Sequence, residues 1–270
     1  MDQIADYVVE RTMRRGNHGV MYVARPPARL GLGETPVVVK LLDHHATDVE
    51  FRRIANELRL MNSAGSPQIV KLLDAGNQAG RLFMVMPYYA EGSLDAAFGE
   101  RAAPVVVQCV ADAARGAHAL HELGVAHRDI KPANVLVDNG RGVLTDLGLA
   151  QMVGNPTSTI TVGFGPVGAL EFMDPALAWG EPAGRGTDIW SLGATLHRAL
   201  TGSGIFETVD TSSMLSAVRD VMHADVHIAQ DCPPALLPIL RRTLRVDEDR
   251  YGTAEMLADD LEAAIAQGNL

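Results

Sequence analysis

The stretch that decides the fold is HRDIKPAN, residues 127–134. Five of its eight residues are His, Arg, Asp, Lys and Asn, and it lies between two apolar runs, HALHELGVA (118–126) and VLVD (135–138). Polar groups this dense, flanked by chain that reads as buried, need partners or a task, because an unpaired buried polar group is costly. Asp129, Lys131 and Asn134 lie in one short loop and can converge on one point. A carboxylate can accept or orient a hydroxyl proton, an ammonium can neutralise a transferring phosphoryl group, and an amide oxygen can bind a hard cation. Asp146, in TDLGLA (145–150), offers a second oxygen ligand beside Gly148. A base, a cation and two oxygen ligands suit phosphoryl transfer, a reaction that depends on positioning and charge stabilisation. A lone DxK or DLG would mean only a capped turn with surface charges.

The chain around this loop changes character near residue 90. Before it, YVVERTM, GVMYVARP, VVVKLL, IVKLLDAG and RLFMVMPYY read as strands, apolar, β-branched and bounded by turn residues. PPARLGLGETP reads as a loop between strands. DVEFRRIANELRLMN places Ile54, Leu58 and Met61 at helical spacing. After residue 90, SLDAAF opens a helix with Ser93 as its cap. PVVVQCVADAARGAHALHELG, DIWSLGATLHRALTG, ALLPILRRTLRV and TAEMLADDLEAAIAQ read as further helices, and GVLTDLGLA as a short strand and turn. Residues 149–172 are rich in Gly, Ser and Thr without a period, and long loops in compact domains are usually functional.

Bulk properties narrow the function classes. Of 270 residues, 47% are hydrophobic and 21% charged, an ordinary globular composition. The formal net charge is −10, and no basic patch argues for nucleic acid; an acidic surface mildly favours basic protein partners. The two cysteines, Cys109 and Cys232, form neither a metal motif nor a disulfide framework. MDQIADYVVERTMRR lacks a signal core and no apolar run approaches the roughly 18 residues a membrane span needs. A cytoplasmic protein with no membrane segment is the expectation.

The order HRDxKPxN then DLG resembles the catalytic domain of the eukaryotic-like (bacterial Hanks-type) protein serine/threonine kinases. The resemblance extends over nearly the whole chain. Lys40 in VVVK resembles the strand lysine that holds the α- and β-phosphates, and Glu57 its ion-pair partner. GNHG (16–19) with VMYVA resembles the end of the glycine-rich phosphate loop, DIWSLG the core-helix motif, and Arg250 the arginine near the end of the fold. The fold this implies is α+β and bilobal: a small antiparallel β-rich N-lobe with one helix (1–88) and a larger, mainly helical C-lobe (89–270), together one catalytic domain.

The resemblance also implies roles. Asp129 would be the catalytic base and Lys131, the usual serine/threonine marker, would contact the γ-phosphate. Asn134 and Asp146 would hold Mg²⁺ or Mn²⁺. Lys40, Glu57, Gly16, Gly19, Met21, Val38, Met86, Pro87, Tyr89 and Leu136 would bind ATP, with the adenine near MPYYAEG, where Pro87 still offers a carbonyl and Tyr89 an amide. His127 would pack with Leu147, Met61 and Leu72 rather than react, and Asp188 would bond the backbone around His127 and Arg128. Arg128 would be regulatory, pairing with a phosphate on Thr157, Ser158, Thr159 or Thr161 of the long loop. Protein substrates and a homodimer for autophosphorylation complete the implied picture.

Several positions depart from the pattern. Arg14 stands at the first glycine of the phosphate loop, Val38 where alanine covers the adenine, and Leu147 at the DFG phenylalanine. Ala169 replaces a threonine that bridges the catalytic aspartate and lysine. Ala176 replaces the glutamate that pairs with the arginine seen here as Arg250, leaving Glu171, Asp174, Glu181 or solvent as its acceptor. A pseudokinase acting as a nucleotide-binding signalling scaffold is the alternative these changes keep open; a kinase-fold enzyme acting on a small molecule is a third.

Overall fold

The computed structural model describes residues 2–16, 19–45, 62, 64–97, 101–146, 167–206, 213–223, 225–247, 249–268 and 270. Their contacts divide into two compact units. The first takes in the described residues of 1–65 and 70–90; the second takes in those of 66–69, 91–148 and 156–270.

The first unit is an antiparallel sheet. Its strands are β1 (Gln3–Ile4), β2 (Tyr7–Gly16), β3 (Gly19–Arg25), β4 (Val37–His45), β5 (Asp74–Gln78) and β6 (Arg81–Pro87), in the order β1-β2-β3-β4-β6-β5. Side chains alternate across a strand, so the run VVVKLL splits between two faces. Val37, Val39 and Leu41 join Ile4, Tyr7, Ala24, Phe83 and Val85 in one core, where the Tyr7 and Phe83 rings meet edge-on at 5.9 Å. The register Met21↔Lys40↔Met84 and Val23↔Val38↔Met86 puts those residues on the opposite face. Gly19 opens β3 at φ +144°, and a Cβ there would lie 2.2 Å from the Leu41 carbonyl oxygen. Only glycine fits that approach.

IVKLLDAG is not one strand. Ile69 forms an isolated bridge with Leu144, whereas Leu73 donates its N–H to the Val85 carbonyl at 2.8 Å, so the pairing partner changes between them and β5 begins only at Asp74. The helix expected over 48–62 lies almost wholly outside the described residues.

The second unit is mainly helical. It contains helices α1 (Ala103–Glu122), α2 (Pro175–Ala178), α3 (Arg185–Thr201), α4 (Met214–His223), α5 (Leu237–Thr243) and α6 (Ala254–Ala266) and a short hairpin, β7 (Val135–Asp138) and β8 (Arg141–Leu144), which packs on α1. SLDAAF yields a 3₁₀ turn, Leu94–Ala97, and Ser93 pairs with Leu136. The long α1 has Pro104 in its first turn, where the missing N–H costs nothing, and its Ala/Val-rich face is buried. Gly142 lets β8 lie on that helix, since a Cβ would come within 2.1 Å of the Cys109 carbonyl oxygen. Buried Asp112 fastens the hairpin to α1, accepting from Arg141 Nε (2.8 Å), Arg141 Nη2 (2.6 Å) and the Gly142 amide (2.9 Å). Among the described residues no helix is long and apolar enough to cross a membrane.

Candidate functional site

HRDIKPAN forms the connection between α1 and β7, ending in a 3₁₀ turn over Pro132–Asn134. It brings three of the expected residues together. Lys131 Nζ donates to both carboxylate oxygens of Asp129 at 2.8 Å. Asn134 Nδ2 donates to the Asp129 carbonyl at 2.7 Å and to its Oδ2 at 2.9 Å. Two oxygen acceptors on one side of the Asn134 amide fix which atom is nitrogen. The amide oxygen, Oδ1, accepts no hydrogen bond among the described residues and keeps its lone pairs for another partner. The Asp129 side chain is 39% exposed, so it is braced yet accessible.

His127 is fully buried, and burial pushes its pKa down. The ring is therefore neutral, with one donor and one acceptor. Nε2 donates to the Thr145 carbonyl at 3.0 Å, and Nδ1 accepts the Asp129 N–H at 3.3 Å. Both nitrogens are engaged, which makes His127 a strut between the loop and the end of β8. The Thr145 N–H, in turn, donates to the Asn134 carbonyl at 2.9 Å. The Leu147 and Met61 side chains proposed to pack with it lie outside the described residues.

Backbone strain marks both sides of this strut. Arg128 has φ +69° and Asp146 φ +57°. Left-handed backbone is uncommon for residues other than glycine, and it persists where surrounding structure enforces it. For Arg128 the enforcing group is Asp188, in the first turn of α3 and 1% exposed. Its carboxylate accepts the N–H of His127 at 2.7 Å and of Arg128 at 2.8 Å, as the resemblance implied. A third donor, His121 Nε2 at 2.8 Å, completes the set. His121 was not anticipated, although its position in the buried last turn of α1 placed it close to the loop. The Arg128 side chain is exposed and makes no hydrogen bond or ion pair among the described residues.

Asn134 Oδ1 and the half-buried Asp146 carboxylate are hard oxygen donors of the kind Mg²⁺ and Mn²⁺ prefer, so the donor chemistry fits such an ion. Leu136 sits on β7, half-buried, paired with Val143.

The other described residues expected to line a nucleotide site belong to the first unit. Gly19, Met21, Val38, Lys40 and Met86 share one face of its sheet by register, with Gly16 opposite Gly19. Arg14 pairs opposite Met21. Lys40 is half-buried at mid-strand. Pro87 closes β6 opposite Val37, where a missing N–H breaks no ladder, and Tyr89 follows two residues on. The neighbouring Tyr88 is tied to β2: Arg11 Nη2 donates to its hydroxyl at 2.9 Å, and the guanidinium lies 5.6 Å from its ring centroid. Glu57, Thr157, Ser158, Thr159 and Thr161 lie outside the described residues, as does Leu147.

The acceptor for Arg250 is Asp174. Nη1 donates to Asp174 Oδ2 at 2.5 Å and to the Gly186 carbonyl at 2.8 Å, and the guanidinium lies 5.3 Å from the Trp190 ring centroid. Asp174 also caps α2, accepting the Ala176 N–H at 3.0 Å. Of the other two candidates, Glu171 lies 3.7 Å from Arg198. With Ala176 lacking a carboxylate, a residue two positions earlier supplies the charge.

A family model described as protein kinase domain matches residues 7–261. The chain is 30% identical over 281 residues to the tyrosine-protein kinase MasK of Myxococcus xanthus, an alignment covering 97% of this chain and 43% of MasK. It is 35% identical over 201 residues to the serine/threonine-protein kinase PknK of Mycobacterium tuberculosis, covering 72% of this chain and 17% of PknK. With the serine/threonine-protein kinase PkaA of Streptomyces coelicolor it shares 29% identity, covering 97% of this chain and 50% of PkaA. The chain thus spans half or less of the length of these relatives. The crystal structure of the Mycobacterium tuberculosis PknI kinase domain matches with a TM-score of 0.64 at 22% identity over 97% of both chains. The fold, a β-sheet unit followed by a helical unit, is that of these domains.

Proposed function

We propose that this chain, which belongs to the protein kinase domain family, transfers the γ-phosphate of ATP to serine or threonine hydroxyls of protein substrates. The observation that carries the reading is the Asp129–Lys131–Asn134 constellation, with its carboxylate doubly braced and still accessible. In this reading Asp129 orients the acceptor hydroxyl and takes its proton. The hydroxyl oxygen attacks the γ-phosphorus as the bond to the β–γ bridging oxygen breaks, and ADP leaves. Lys131 neutralises charge building on the transferring group. Asn134 Oδ1 and Asp146 would hold a divalent ion, which supplies charge neutralisation at the phosphates when bound. Gly16, Gly19, Met21, Val38, Lys40, Glu57, Met86, Pro87 and Tyr89 are assigned to ATP from the first unit, and Leu136 from the second. Arg128, exposed and set in a strained backbone, would receive a phosphorylated residue among Thr157, Ser158, Thr159 and Thr161. A homodimer would bring such a residue to a second copy's Asp129.

Lys131 favours Ser/Thr acceptors; the name of MasK keeps tyrosine as the competing acceptor. Incubation with labelled ATP and Mg²⁺, followed by phosphoamino-acid analysis of the chain and a basic protein substrate, tests the assignment. Phosphoserine or phosphothreonine is expected, and phosphotyrosine alone would refute the acceptor class. A second reading, a nucleotide-binding scaffold, is favoured by Val38, Ala169 and Arg14. It predicts stabilisation by ATP with no label transferred to any substrate.

A further inference from the structure

A polar cavity of about 520 Å³ lies in the second unit, lined by Pro238, Arg241, Arg242, Arg245, Asp249 and Arg250. None of these residues belongs to the constellation around Asp129. We propose that this cavity is a binding site for a dianionic phosphate group, carried either by a phosphorylated side chain or by the free ion.

Four of its six lining residues carry guanidinium groups, in a chain whose formal net charge is −10. Guanidinium presents several N–H donors in a plane and matches phosphate oxygens in pairs. Three of the four are set in place by the protein. Arg250 is held by Asp174, by the Gly186 carbonyl and, through Nε, by the Arg245 carbonyl, which also closes the loop between α5 and α6. Arg245 is forked onto Asp247 by Nε at 2.6 Å and Nη2 at 2.5 Å. Arg242 is set against Tyr251, with its guanidinium 4.2 Å from the ring centroid and a hydrogen bond to the tyrosine side chain, and lies 3.8 Å from Asp260. Arg241 is exposed and has no ion pair or hydrogen bond among them. The cavity therefore combines three pre-set guanidinium groups with a fourth, Arg241, whose donors make no bond among the described residues.

The carboxylates nearby decide which anion can enter. Asp249 lines the cavity and lies 3.1 Å from Arg245, but its own side chain is 78% exposed. It acts as a tethered stand-in for a ligand oxygen, weakly held because exposed ion pairs are weak. A carboxylate on a partner would have to displace an equivalent group already on the spot. A phosphate dianion brings about twice the charge and three acceptor oxygens, enough to engage Arg241, Arg242 and Arg245 together.

The test titrates the uniformly ¹⁵N-labelled whole chain at constant ionic strength with sodium phosphate, with a phosphoserine peptide and with the same peptide carrying glutamate. Amide shifts over 239–250 are expected with phosphate and with the phosphopeptide. Binding should weaken at least tenfold in Arg241→Ala/Arg245→Ala and tighten severalfold in Asp249→Asn, with phosphotransfer to a basic substrate unchanged. The Asp249→Asn gain keeps the test decisive if the double variant is poorly folded. A phosphopeptide that binds more tightly than phosphate assigns the cavity to modified protein; equal binding assigns it to the free ion, and both uphold it. Shifts confined to other residues, indifference to Asp249→Asn, or equal binding of the glutamate peptide would overturn the proposal.

Discussion

Asp129 is gripped by Lys131 and Asn134, and its carboxylate faces solvent in part. Asp129→Asn keeps the shape and removes the carboxylate to which the proposed mechanism assigns the proton. Phosphotransfer should fall by about 10²–10⁴-fold while the melting temperature changes little, measured by initial rates and calorimetry on one preparation. His197 is fully buried, with Nδ1–H donating to the Ser203 carbonyl at 3.1 Å and Nε2 accepting the Ala229 N–H at 2.9 Å. Burial pushes its pKa down, as it does for His127. Below the ordinary histidine pKa of about 6.5 the unfolded chain takes up protons that the folded chain refuses, so stability falls as pH drops, by up to ~1.4 kcal/mol per pH unit per histidine. Denaturant midpoints should decline between pH 7 and 5, and His197→Gln should show a shallower decline from a lower starting value. At this scale the core of the candidate site was legible because Asp129, Lys131 and Asn134 are local to one loop. His121 was not: it meets Asp188 across 67 residues, and no spacing rule connects a helix-end histidine to a distant aspartate.

Helices and strands here are fastened by single carboxylates. Asp174 serves α2 as cap and Arg250 as counter-ion, so Asp174→Ala removes both functions. Loss of one partner of a buried pair costs about 3–5 kcal/mol. Denaturant unfolding should register a loss of that order, and Asp174→Asn, which can still cap α2, should lose less. Gly142→Ala presses a methyl against the Cys109 carbonyl and should separate β8 from α1, at about 1–3 kcal/mol by the same measurement. Long periodic helices such as α1, α3 and α6 were legible from their buried stripes. Helix α4 was not assigned, although Ala217 and Val221 supply an i, i+4 buried pair. Leu215, 81% exposed, blurs the stripe, and a ten-residue helix offers too few turns to average that out. Strand β5 began later than its apolar run because Ile69 and Leu73 answer to different partners.

Across the whole chain, a formal charge of −10 sets the long-range field. Basic substrates should be favoured at low salt, and KM for a Lys/Arg-rich peptide should rise severalfold between roughly 0.05 and 0.5 M NaCl as the Debye length shrinks, while kcat holds. Initial-rate kinetics across that range test it; an unchanged KM would remove charge from the account of substrate choice. The two-part organisation was visible as a shift from strand to helix patterning near residue 90, whereas the return of residues 66–69 to the helical unit was not, since it depends on a single bridge and a carbonyl of Gln68 that accepts from Leu144. The carboxylate of Asp188 ties two distant parts of the chain together. The amides of His127 and Arg128 donate to a side chain borne on α3, some 60 residues later in the chain. Those two amide protons can exchange with deuterated water only when the loop and the Asp188 carboxylate part. Their exchange lifetimes thus become a clock for the parting of that loop from α3's aspartate, readable without any substrate.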